Sequence, residues 1–117
     1  MTKSKKFGIM ESKDGDKMVK HIILWNLKDE YSKEEREEIK RKIKVELEAL
    51  VGQIQGLVEM KVQTSYLDSS SAELMLDSTF ESVEALKGYA IHPKHVAVAD
   101  NFVRPFVSVR SCLDFEI

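Results

Sequence analysis

The chain has 117 residues, 43% hydrophobic and 32% charged, which suits one domain with a real core and leaves no room for two. Eighteen Lys and Arg against 20 Asp and Glu leave a net charge of −2, which argues against a nucleic-acid partner because phosphate binding needs a basic surface that releases counterions. A single cysteine, Cys112, allows no internal disulfide, and no apolar run nears the roughly 20 residues of a membrane span. A cytoplasmic protein with no membrane partner is the expectation.

The segment 1–17 reads as an N-terminal extension. Lys3, Lys5, Lys6 and the run Ser12-Lys13-Asp14-Gly15-Asp16-Lys17 are polar, and the charged, apolar and small-residue blocks of a signal peptide are not there. Phe7-Gly8-Ile9-Met10 is an apolar island suited to an edge strand or a partner, though a loosely held extension is the plainer reading. The domain spans 18–117. Val19, His21, Ile23, Trp25 and Leu27 alternate with Lys20, Ile22, Leu24 and Asn26, so apolar residues of both parities predict a strand covered on both faces.

Ser32-Lys33-Glu34-Glu35 is a capping box, and Ile39, Ile43, Leu47, Leu50 and Ile54 form one stripe at helical spacing. The spacing predicts a helix through Ile54 with its exit at Gly52 or Gly56. Its charges, with Glu38–Lys42 and Glu37–Arg41 as i,i+4 pairs, read as a solvated face. Val58, Met60, Val62, Thr64 and Tyr66 alternate with polar residues and predict a second strand; Ala72, Leu74, Leu76, Ser78 and Phe80 predict a third. Thr79 or Glu81-Ser82 opens a second helix through Val83, Leu86 and Tyr89, which Pro93 stops. A further helical piece is expected over 94–102, and Val107, Val109, Ser111, Leu113 and Phe115 give a closing strand.

Strand, helix, strand, strand, helix, strand is the split βαβ pattern: an α+β, ferredoxin-like fold with one antiparallel four-stranded sheet and helices on one face. The other face would expose Ile22, Leu24 and Met75, and a second copy packed sheet against sheet is the simplest cover. A homodimer is therefore the expected partner state.

Three histidines exist: His21, His92 and His95. His92 and His95 with Asp100 would make a metal set, but two imidazoles without a local acid are a weak signal, so no metal is expected and His92 reads as a cap at the helix end. His21 sits mid-strand beside Ile23 and Trp25, where a histidine is most often a satisfied core residue. The functional reading is that His21, Tyr89 and His95 converge on one pocket, where imidazole moves protons near neutral pH and a phenol donates to a developing oxyanion. Trp25, Leu74 and His92 are expected to line that pocket. No glycine-rich phosphate loop, CxxC pair or GxSxG elbow occurs, so no cofactor is expected. Cys112 reads as an inert small residue.

Met18-Val19-Lys20-His21-Ile22-Ile23-Leu24-Trp25, with Phe80-Glu81-Ser82 and Tyr89-Ala90-Ile91-His92-Pro93-Lys94-His95, resembles the stress-responsive α/β-barrel (Dabb) family across about 18–117. The resemblance implies two ferredoxin-like subunits closing a dimeric α/β barrel. It implies either a protein that binds a small apolar or aromatic molecule without a reaction, or a cofactor-independent polyketide cyclase like that of one plant branch. A dimeric-barrel monooxygenase-like activity is a further alternative. In the cyclase pattern His21, Tyr89 and His95 fall at active positions, with His95 as base and Tyr89 as orienting hydroxyl. That pattern also carries a histidine early in the third strand, where this chain has Leu74.

Overall fold

Ser32 starts the first helix for a local reason. Its hydroxyl accepts a hydrogen bond from the Glu35 backbone N–H, and the Glu35 carboxylate accepts one from the Ser32 N–H, so two otherwise unpaired donors are satisfied at once. In the computed structural model, which describes residues 17–117, this helix, α1 (Lys33–Glu48), follows β1 (Val19–Leu27) and precedes the antiparallel pair β2 (Leu57–Gln63) and β3 (Leu74–Phe80). Next come α2 (Val83–Ile91), α3 (Pro93–Val98) running into a π-helical turn (Ala99–Val103), and β4 (Val107–Glu116). The sheet order is β2-β3-β1-β4 with every neighbouring pair antiparallel, which is the expected ferredoxin-like arrangement. The Phe7–Met10 island lies outside the described residues. Among the described residues no helix is long and apolar enough to cross a membrane.

The two parities of β1 part company. Val19, Ile23, Trp25 and Leu27 are buried under the helices with Met60, Val62, Leu76 and Phe80, and α1 adds Ile43 and Leu47. On the opposite face Leu24 is 40% exposed and Leu113, paired across from Ile22, is 62% exposed. Within one chain β1 is thus covered by helices on a single face, and on its other parity Leu24 is exposed and Ile22 half-buried.

Two features differ from the periodicity. The helix expected to reach Ile54 ends at Glu48, with Ala49 as its cap. Leu50 and Ile54 still enter the core, but from a run of turns in which Gly52 and Gly56 take φ of +88° and +86°. Turns can feed a core at helical spacing, so the stripe outlasts the helix. At Gly56 a side chain is doubly excluded, because a Cβ there would lie 2.5 Å from the Ala85 Cβ. In β2 an irregularity between Leu57 and Glu59 places Leu57 inside and leaves Val58 exposed, reversing the expected inward position of Val58.

The charged face of α1 is not wholly solvated. Lys40 is buried, with its ammonium 3.7 Å from the buried Glu73 carboxylate, which also accepts from the Arg36 guanidinium (2.8 Å) and the Leu27 backbone N–H (2.8 Å). This cluster ties α1 to the end of β1 and the start of β3. Arg41 pairs with Glu38 at 2.7 Å rather than with Glu37.

Candidate functional site

Pro93 shapes the site. It cannot continue α2, so His92 takes an extended backbone (φ −66°, ψ 132°) and its Nδ1 accepts the Lys94 N–H at 3.1 Å, capping the start of α3 rather than serving α2's end with its side chain. The corner turns α3 back so that His95 Nδ1 reaches the Ala90 carbonyl oxygen at 3.3 Å. The His95 ring then lies over Tyr89, with centroids 4.0 Å apart. Tyr89 is buried against Phe80 (4.9 Å between centroids) and faces His21 across 6.2 Å.

The rings of His21, Tyr89 and His95 border a cavity of about 230 Å³ between the sheet and the α2–α3 corner. Its apolar wall includes Ile23, Trp25, Leu76 and Leu86, and Arg104 and Arg110 join His21, Tyr89 and His95 as its polar lining. Of the six residues singled out from the sequence, His21, Trp25, Tyr89 and His95 share this cavity. Leu74 is packed in the core beside Trp25 in the sheet, and His92 is occupied as the cap; neither lines the cavity. Asp100, the acid considered for a metal set with His92 and His95, is paired with Arg104.

Arg110 and Asp114 escaped the sequence reading, and Cys112 was read only as an inert small residue, because all three sit on β4 with the opposite parity to its apolar residues. The β1–β4 register sets Asp114 across from His21, Cys112 across from Ile23 and Arg110 across from Trp25. His21 Nδ1 donates to Asp114 Oδ1 at 2.5 Å, and the Cys112 thiol donates to the same oxygen at 3.5 Å. Cys112 is thus part of a polar cluster and not an isolated small residue. Counting alternation back from the exposed Leu113 and Phe115 is the signal that could have found it.

Burial holds the Tyr89 phenol well above its ordinary value, so it stays a protonated donor. Burial also lowers His95, with the Arg104 charge adding to it against the Ala90 hydrogen bond. With Nδ1–H donated to Ala90, neutral His95 carries its lone pair on Nε2. The Cys112 thiol is pushed up first by burial and then by Asp114, through hydrogen bonding and charge, which keeps it protonated and poorly nucleophilic.

The protein family described as Stress responsive A/B Barrel Domain matches residues 19–117. Olivetolic acid cyclase of Cannabis sativa is 33% identical over 82 residues, covering 70% of this chain and 80% of that protein. A dimeric protein of unknown function and ferredoxin-like fold from Bacteroides fragilis superposes with a TM-score of 0.79 at 31% identity, covering 86% of this chain and 96% of that one. Hydroxynitrile lyase from Passiflora edulis shares the fold, with a TM-score of 0.71 at 20% identity over 87% of this chain and 94% of that one.

Proposed function

Because the chain belongs to the stress-responsive A/B barrel domain family, we propose that it pairs through its open sheet face and takes a small aromatic or enolic acid into the cavity beside His21. The observation that best supports this reading is the lining itself: apolar walls with a phenol, two imidazoles and two guanidinium groups. At about 230 Å³ the space is just below the roughly 300–1,000 Å³ of drug-sized sites, so a single substituted ring suits it. Arg104 is engaged by Asp100, whereas Arg110 pairs with no acid among the described residues and suits a carboxylate on the ligand. The dimeric description of the Bacteroides fragilis relative supports self-association. The free thiol of Cys112 favours a reducing, cytoplasmic setting.

Trp25, the single tryptophan, lines the cavity and reports on its contents. Titration with alkyl-substituted hydroxybenzoic acids is expected to change its fluorescence saturably, at one equivalent per chain. Ala90→Phe, which adds bulk at an exposed helical position on the lining, is expected to abolish the change. A response that is unsaturable, or unaltered in that variant, would remove the basis of the reading.

The neutral His95 stacked on Tyr89 favours a second reading, acid–base catalysis without a cofactor. Nε2 of His95 would remove a proton beside a carbonyl, and the Tyr89 hydroxyl would donate to the enolate oxygen. The identity to a cyclase supports it. On this reading a linear polyketide thioester is cyclised, and His95→Gln lowers kcat by about 10²-fold or more while Trp25 still reports ligand binding. Wild-type protein that binds such a compound and leaves it unchanged decides for binding alone.

A further inference from the structure

We propose that His21, Cys112 and Asp114 form a site for a zinc-type divalent cation at the edge of the cavity. The three offer one nitrogen, one sulfur and one oxygen, all within 4.8 Å of one another. Cys112 Sγ is 3.5 Å from Asp114 Oδ1 and 3.9 Å from His21 Nδ1. A tetrahedral zinc ion with bonds of about 2.0–2.3 Å sets its ligand atoms roughly 3.3–3.8 Å apart. The two sulfur distances already approximate that spacing, and the 2.5 Å separation of Nδ1 and Oδ1 has only to open as the metal replaces the proton between them.

The scaffold holds the set in place. Cys112 and Asp114 are two apart on β4 and so share a face, and the antiparallel register brings that face to His21 on β1. His21 is almost fully buried while Cys112 and Asp114 are exposed, which leaves an entry path and room for water as a fourth ligand. A thiolate with an imidazole and a carboxylate selects zinc over magnesium or calcium, which prefer all-oxygen shells. Binding would release the thiol proton and move the imidazole proton from Nδ1 to Nε2.

A nucleophilic triad does not fit the same three residues. In such a triad the thiol and the carboxylate use different nitrogens of the imidazole, whereas here both face Nδ1. A metal is the partner that engages all three atoms on that side.

The test uses the untagged full chain and cobalt(II) as a spectroscopic probe. One equivalent is expected to bind with a near-ultraviolet thiolate-to-cobalt charge-transfer band that zinc competes away. The band is lost in Cys112→Ser, and cobalt affinity falls in Asp114→Asn. In the wild-type chain zinc is expected to slow alkylation of Cys112 by iodoacetamide, a readout that needs no variant to fold. Cobalt binding without the band, or alkylation at an unchanged rate under saturating zinc, overturns the site.

Discussion

Phe80→Ala is expected to lower the free energy of unfolding by about 3–5 kcal/mol, a large part of the roughly 5–15 kcal/mol available to a domain of this size. Phe80 has no exposed surface, ends β3 beside Leu57 and Val19, and packs its ring on Tyr89. Removing it leaves a cavity that the sheet cannot close, because the backbone on both sides is held by ladder hydrogen bonds. Urea unfolding at pH 7 measures the loss, with Val58→Ala, at an exposed position on neighbouring β2, as a control expected to stay near wild type. Tyr89 loses a wall at the same time, so the Trp25 response to ligand should weaken even where the variant remains folded. A loss below about 1 kcal/mol would mean that Phe80 does not anchor the floor of the site.

The second large effect concerns assembly. The open face gathers Ile22, Leu24, Met75, Leu113 and Phe115 beside the Lys20–Asp77 ion pair, whose nitrogen and oxygen are 2.6 Å apart. The double substitution Leu24→Asp, Leu113→Asp puts four carboxylates into a two-fold interface, each deprived of water, while the nearby Lys20 is already paired with Asp77. Several kcal/mol of lost association raise the dissociation constant by about 10³-fold or more. Sedimentation velocity at micromolar concentration is expected to return a dimer for the wild-type chain and a monomer for the variant. Circular dichroism should be unchanged, because both positions are solvent-facing in the single chain. A wild-type monomer, or a variant that remains dimeric, contradicts pairing through this face.

The sequence spoke most clearly where one physical signal acted alone. The capping box at Ser32, the stop before Pro93 and the alternation of β3 predicted elements that the structure contains. His21, Tyr89 and His95 border one cavity, as the reading of their side-chain chemistry and the family resemblance led one to expect, although no spacing in the sequence fixes that corner. Leu74 misled for the opposite reason, since a buried apolar residue at the start of a strand fits a core and a pocket equally well.

The setting of Asp114, Cys112 and Arg110 was hidden by the open face. The apolar residues of β4 normally mark the inward side of a strand, and here they mark the side bare of helices, so the polar parity turned out to lie beside His21, with Arg110 reaching the cavity. The Lys40–Glu73 pair was hidden similarly, because a lysine in a run of charges gives no sign of burial until α1 is laid on the sheet.

The most direct measurement is a crystal structure of the complex with whichever hydroxybenzoic acid saturates the Trp25 response. The ring is expected between Tyr89 and the Ile23–Leu76 wall, with its carboxylate toward Arg110 and a polar atom within hydrogen-bonding distance of the Tyr89 hydroxyl or of His95 Nε2. Density for the same compound on the open sheet face, with the cavity beside Tyr89 unchanged, would contradict the assignment.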